Sequence, residues 1–323
     1  MFLVGCKIDE IRTDGNLSAF RRDLEKYAEL GMKTVEVPVH GLDAIRGGVL
    51  DRKRVQEILG ILQDFDFAYS VHSPNPLNLM DCFDPDWHYS VFQRSLEFAG
   101  RIGAKILVYH AGRFIPEETF GIPLIPERDK EKEGELLEKE AEALLRLSEE
   151  YPGVVIGVEN ARPYLFHSPY CYGERLGSLK EQVEKVNRPN VRITLDVGHM
   201  HMASQFYRFN SREAVKGIKD LIVHTHIHDN FGGAIYHNEK IQTHQIPFGR
   251  GDSHMPVGWG AIPFQAILSP YFSSYSGMFI MELRNRYFNH LKESKANLME
   301  LLKSLSAESS LFSQEALASG PAG

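Results

Sequence analysis

Short apolar runs alternate along the whole chain with longer stretches in which apolar side chains recur every three or four positions. Runs that are apolar on both faces are what strands buried in a parallel sheet require, and the amphipathic stretches between them fit crossover helices. Eight runs stand out: Phe2–Gly5, Thr34–Val39, Phe67–His72, Lys105–His110, Val154–Glu159, Val191–Asp196, Leu221–His226 and Met278–Glu282. Helices are predicted between them over Leu17–Leu30, Arg52–Phe65, Tyr89–Ile102, Glu135–Glu150 and Ser178–Val186. Eight strand-helix units predict an α/β fold closed into a (β/α)8 TIM barrel rather than an open doubly wound sheet. No G-x-G-x-x-G or G-x-x-x-x-G-K-[ST] follows any run, which removes the usual dinucleotide and nucleoside-triphosphate sites.

A barrel of this kind needs about 250 residues, so 323 residues predict a single domain with insertions. The catalytic barrel is expected over 1–303. From Ser304 the chain turns to Ser, Ala, Gly and Glu and ends Ser319-Gly320-Pro321-Ala322-Gly323, so 304–323 reads as a flexible tail. Three connections after strands are longer than a plain turn: Arg113–Gly134, Asn160–Gly177 and Asn230–Pro263. Loops this long in a compact domain are usually functional, and these three are expected to wall the C-terminal face. The second carries Tyr164, Phe166, Tyr170 and Tyr172; the third carries Gly232, Gly233, His237, His244 and Gly249–Asp252.

With 43% hydrophobic and 24% charged residues, the chain has the composition of a soluble globular enzyme. Its formal charge of -7 advertises neither nucleic acid nor an anionic membrane. Three scattered cysteines, Cys6, Cys82 and Cys171, form no disulfide framework and no C-x-x-C zinc site, which suits a reducing cytoplasm. The first residues lack a signal-peptide pattern, and no run approaches transmembrane length.

Candidate chemistry enters at the ends of the runs. Six of the eight finish on a residue able to bind a divalent metal: His72, His110, Glu159, Asp196, His226 and Glu282. In a barrel all strand C-termini converge on one mouth, so residues remote in sequence meet there. A lone His or Glu at a strand end is usually a hydrogen-bonded structural group, but six charged or imidazole groups in one apolar mouth would be costly without a cation. Mixed carboxylate and imidazole ligands suit Mn, Zn, Co or Fe as the divalent metal. His199 lies three residues beyond Asp196, and Asp252-Ser253-His254 offers a further pair. His224, His226 and His228 alternate on one strand face, with His226 at the ligand level and the other two structural or supporting.

The motifs HSPNPLNL, YHAG, VENA, LDVGH, HIHDN, GDSHMPVGWG and MELR, spread over nearly the whole chain, resemble the xylose-isomerase-like barrel superfamily of sugar isomerases, epimerases and endonuclease IV. The resemblance implies that His72, His110, Glu159, Asp196, His199, His226, Asp252, His254 and Glu282 match the nine ligands of the endonuclease's three-metal cluster. Glu159, Asp196, His226 and Glu282 match the single-metal set of the epimerases. One to three ions are therefore implied. Where many relatives carry G-E-G, this chain has Gly258-Trp259-Gly260, whose aromatic ring suits either a pocket wall or packing.

Two functions follow from that scaffold. The first is isomerisation or epimerisation of a sugar or sugar phosphate, with Glu159 and Glu282 as catalytic acid and base beside a metal-stabilised enediolate. Arg162, Arg284, Trp259 and His228 are the expected substrate contacts, and Arg113 and Arg286 also follow strand ends. The alternative is phosphodiester hydrolysis at abasic DNA sites by a multinuclear cluster; a lyase or hydratase on an oxidised sugar would use the same proton chemistry. The aromatic and acidic loops favour a small carbohydrate over nucleic acid as partner. Whether the chain forms a homo-oligomer is left open by the sequence.

Overall fold

A computed structural model describes residues 2–121, 129–237 and 242–318, with side chains described as far as residue 309. Eight parallel strands close a barrel: β1 Leu3–Lys7, β2 Thr34–Pro38, β3 Ala68–His72, β4 Ile106–His110, β5 Val155–Glu159, β6 Val191–Asp196, β7 Ile222–Ile227 and β8 Met278–Met281. Each strand pairs with its neighbours in sequence, and β8 closes the ring against β1 through Leu3↔Met278 and Cys6↔Met281. The expected strands are all present, shifted by no more than about two residues at their ends.

Besides a single turn at Glu10–Thr13, the α-helices among the described residues are α1 Leu17–Glu29, α2 Arg52–Leu62, α3 Pro85–Arg101, α4 Lys130–Glu150, α5 Leu176–Val186, α6 Val197–Tyr207, α7 Ser211–Lys216, α8 Phe264–Phe272 and α9 Leu291–Ala318. Several start on side chains that satisfy the orphan N–H groups of a first turn. Asn16 accepts from Ser18 and Ala19, Asp51 accepts from Arg54, and Asp129 accepts from Glu131 and Lys132. Their apolar faces cover the barrel's outer surface, where Phe20, Leu24, Phe92, Leu96, Leu144, Leu179 and Leu268 are buried. No described helix is long and apolar enough to cross a membrane.

The stretch from Ser304, expected as a tail, continues α9 as far as Ala318, and Leu305 is buried in the core beside Leu302. Ala, Ser, Glu and Leu sustain a helix there, because the first breakers after Gly277 come only at Gly320 and Pro321. Residues 319–323 lie outside the described residues, as do 122–128 of the first long loop and 238–241 of the third.

The third loop is tied to the barrel mouth rather than hanging from it. Asp229 and Met255 exchange backbone hydrogen bonds at 2.9 and 3.0 Å, and Arg284 N–H donates to the His254 carbonyl at 3.3 Å. The Asp229 carboxylate accepts from the N–H groups of Asn230, Gly258 and Ile262. One aspartate thus pins the loop that presents Asp252 and His254.

Candidate metal centre

The strand ends deliver their side chains to one buried spot. Glu159, at the end of β5, lies at its middle: Oε1 is 3.2 Å from His226 Nδ1 and 3.7 Å from His199 Nδ1, while Oε2 is 3.2 Å from His110 Nε2 and 3.5 Å from His72 Nε2. His226 Nδ1 also faces Glu282 Oε2 at 3.6 Å and Asp196 Oδ2 at 4.0 Å. Glu159, Asp196, His226 and Glu282 can therefore share one ion, and His72, His110 and Glu159 a second. Beside them stands a third group, His199, His228, Asp252 and His254.

Asp196 places two of these groups at once. Its carboxylate caps α6 by accepting from His199 N–H at 2.6 Å, which swings the His199 ring into the mouth one turn later. Asn160 locks the strand end from the side, donating to the Asp196 carbonyl and accepting from its N–H.

Hydrogen bonds to backbone carbonyls fix three imidazole tautomers. Nδ1–H of His72 donates to Ser73 O, that of His199 to Asn160 O and that of His254 to Glu282 O, at 2.7, 3.0 and 2.8 Å. In each neutral ring the Nε2 lone pair then points inward. Nε2 of His199 and of His254 face the same oxygen, Asp252 Oδ2, at 3.2 and 2.9 Å. Lone pairs facing a carboxylate at that separation need a proton or a cation between them. Glu159 Oε2, Asp252 Oδ1 and Glu282 Oε1 are buried with no well-aligned hydrogen-bond donor. These residues fit divalent cations. His254 is held at φ 44°, a backbone region rarely used by residues with a Cβ and met mostly where function fixes a side chain.

Electrostatics within the cluster run against burial. Burial disfavours the charged form of His199, yet the charges of Asp196 and Asp252 lift its pKa to about 10. Burial would likewise raise Asp196, but His199 and His228 bring it down to about 2. Glu159 and Asp252 are held well below the carboxylate range by the surrounding imidazoles, again in spite of burial. Without a metal, the site keeps its carboxylates ionised by protonating part of its histidines.

A cavity of about 470 Å³ opens over Asp252, His254 and Glu282 and is bordered by Lys7, Asn75, Arg162, Arg284 and Arg286. The aromatic loop supports one side of the mouth. Tyr164 and Tyr170 meet Phe120 edge-on and hydrogen-bond to Glu117, whose carboxylate faces Arg162 at 3.9 Å.

The family model for the Xylose isomerase-like TIM barrel matches residues 24–307. The chain belongs to this family. An uncharacterized protein of Methanocaldococcus jannaschii, MJ1614, is 29% identical over 300 residues, spanning 90% of this chain and 95% of its own. Among solved structures, a D-tagatose 3-epimerase-like protein superposes with a TM-score of 0.69 at 22% identity, covering 94% of this chain and 99% of its own. An L-ribulose 3-epimerase gives 0.69 at 12% identity, over 97% and 98% of the two chains. At these identities the two epimerases share the fold with this member of the xylose isomerase-like family.

All nine ligand positions expected from the sequence meet at the mouth. Arg162 and Arg284 also reach it: Arg162 lies 3.6 Å from Asp252 Oδ2, and Arg284 donates to the Asp252 carbonyl at 2.9 Å. His228 and Trp259, both expected as substrate contacts, take other places. His228 is wholly buried, lies 3.2 Å from both Asp196 oxygens and stacks on His254, so it belongs with the ligand-type groups. Trp259 faces the barrel's flank, where its indole N–H donates to Glu293 and its ring packs on Tyr287 and His290. Arg113 is spent on the carbonyls of Asn75 and Pro76.

Two participants were missed. Glu36, on β2, faces His226 Nε2 at 3.0 Å and His224 Nε2 at 2.9 Å. Lys7, ending β1, lies 3.2 Å from Glu282 Oε1, and Glu10 and Glu282 keep it charged against burial. An acidic residue inside an otherwise apolar run, as in Thr34-Val35-Glu36-Val37, was the available signal for Glu36.

Proposed function

We propose that this chain is a divalent-metal-dependent enzyme that isomerises or epimerises a sugar by moving a proton next to a carbonyl. One observation carries the reading: the carboxylates of Glu159, Asp196 and Glu282 all converge on the single imidazole nitrogen Nδ1 of His226, and Glu282 lines the cavity of about 470 Å³ beside them. A divalent cation held by these four would polarise a substrate carbonyl and lower the energy of the enolate formed beside it.

The chain's own residues would move the proton. Glu159 and Glu282 come from strands three places apart in the ring, so a substrate lying between them meets one carboxylate on each side. One takes the proton from carbon and the other returns it. His226 and then Lys7, 3.2 Å from Glu282 Oε1, keep that carboxylate ionised against burial, and the Lys7 ammonium suits a developing oxyanion. The structural neighbours support the reading, since their names are those of a D-tagatose 3-epimerase-like protein and an L-ribulose 3-epimerase.

Phosphodiester hydrolysis draws on a different observation, the assembly of the outer groups beside the central four. Two of the mouth's cations are already matched by acids, however: Lys7 by Glu10 and Glu282, Arg162 by Glu117 and Asp252. Of the cations lining the cavity, that leaves Arg284 and Arg286, enough for one anionic group but few for a duplex backbone. The two readings separate when metal-loaded protein is tested for deuterium uptake from D₂O into a panel of ketoses and for cleavage of an abasic duplex. Uptake at a carbon beside the carbonyl is expected; cleavage with no uptake into any sugar overturns the proposal.

A further inference from the structure

The cavity over the metal centre has an uneven charge account. Each of its carboxylates has a partner: Asp9 accepts from the N–H groups of Arg12 and Asn285, Glu10 and Glu282 face Lys7, and Asp252 faces His199 and His254. Two of its cations are matched in turn. Arg284 and Arg286 are not, for neither has a carboxylate within ion-pair distance among the described residues. Arg284 gives one donor to the Asp252 carbonyl, and Arg286 gives one to Thr243 Oγ1.

A guanidinium carries five N–H donors in a planar fork, and the fork fits two oxygens of a carboxylate or phosphate. Arg284 is half-buried beside the cavity, where water serves its remaining donors less well than at an open surface. Its backbone is not free to carry it away, because its N–H is bonded to the His254 carbonyl and the next residue's N–H to Asp9. Two arginines, two and four residues beyond Glu282, are thus held on the wall of the same cavity as the cluster.

We propose that the substrate carries an anionic group, a phosphate or a carboxylate, that docks on Arg284 and Arg286 while the reacting end lies over Glu282 and Asp252. This deepens the proton-transfer reading and rests on it for the reacting end alone. A neutral sugar would leave the charges of both guanidinium groups on the cavity wall unmatched; an anion matches them and fills their donors.

The test compares D₂O exchange by the metal-loaded full chain on three matched ketoses: the neutral sugar, its terminal phosphate ester and its terminal carboxylic acid. One of the two anionic forms is expected to exceed the neutral sugar in kcat/KM, and which one identifies the group. Arg284→Gln and Arg286→Gln should each lower kcat/KM for that form by about ten- to a hundredfold through KM, the worth of a charge-assisted contact, with Arg284→Lys intermediate. Arg286 is exposed, so its variant folds without cost, and a thermal melt verifies the others. Equal rates on neutral and anionic ketoses overturn the anion site and leave the proton-transfer reading standing. If no ketose exchanges, the proton-transfer reading falls and the anion site is decided by calorimetric titration with inorganic phosphate. At least tenfold weaker binding by the double glutamine variant supports it, and unchanged binding overturns it.

Discussion

His226 Nε2 lies 3.0 Å from Glu36 Oε1, with both side chains fully buried. The other Glu36 oxygen takes Ser70 Oγ and His224 Nε2, each at 2.9 Å, so the carboxylate is held on three sides. Glu36 thus faces the Nε2 side of the His226 ring, while Nδ1 on the other side faces Glu159, Asp196 and Glu282. A carboxylate behind a ligating histidine raises its basicity and fixes its ring.

Glu36→Gln should therefore weaken metal retention by about 10–100-fold without removing a ligand. Competition against a chromogenic chelator measures this; retention equal to that of the unaltered protein would show that Glu36 has no part in the site.

Glu159→Gln is expected to lower deuterium exchange by about a thousandfold or more, since it removes both a proton carrier and the carboxylate shared by two ligand groups. The same variant should fold, because the amide fills the same volume and can donate to a neighbouring imidazole or carboxylate. Exchange within about tenfold of the unaltered protein would move the catalytic role elsewhere.

The metal-free protein should lose stability as pH rises. His199 goes from an ordinary value of 6.5 to about 10 in the folded chain, so its contribution is complete below about 6.5 and lost on the way up to about 10. Asp196, lowered from 3.8 to about 2, contributes above about 3.8 and loses that as pH falls through about 2. Melting of chelator-treated protein should thus fall between pH 6.5 and 9. A bound cation takes the place of those protons, so metal affinity should rise over the same interval with protons released. A melting temperature that is flat from pH 6.5 to 9 in the metal-free protein contradicts the assignment.

Much of this arrangement was open to reading in the chain. The strands announce themselves because each is buried on both faces and must be apolar throughout, and the ligands because a strand end is the one place where such a run may stop on a charged residue. Other parts leave no periodic trace. Helix α6 was missed since it is buried along nearly its whole first two turns, Val197 to Ser204, and so has no polar face. Glu36 and Lys7 were missed because their roles depend on residues remote in sequence: Glu36 on His226 across the barrel on β7, Lys7 on Glu282 just past the neighbouring strand β8. Trp259 shows the converse: its place in a motif left pocket wall and packing both open, and its contacts with Tyr287 and His290 are those of packing.

Asp229→Ala should destabilise the protein by roughly 2–4 kcal/mol, because three backbone N–H groups lose a charged acceptor in a buried setting. Since that carboxylate pins the loop bearing Asp252 and His254, the variant should also lose outer-group metal first. Chemical denaturation and metal content after dialysis read the two effects; a change below about 0.5 kcal/mol would show that the loop is held by other contacts.

Gly198 lies against the His228 ring, and a Cβ there would sit 2.0 Å from Cε1. Gly198→Ala should push His228 off Asp196 and cut metal retention while leaving every ligand chemically intact. Unchanged metal content would place His228 outside the working site.

The central claim is that a cation bound among Glu159, Asp196, His226 and Glu282 enables proton transfer on a sugar. Its most direct test is deuterium incorporation from D₂O into a ketose by chelator-treated protein, followed by nuclear magnetic resonance before and after Mn²⁺ or Co²⁺ is returned. The account predicts no incorporation in the metal-free protein and incorporation at a single carbon beside the carbonyl once the metal is restored. Incorporation at the same rate with and without metal would contradict it.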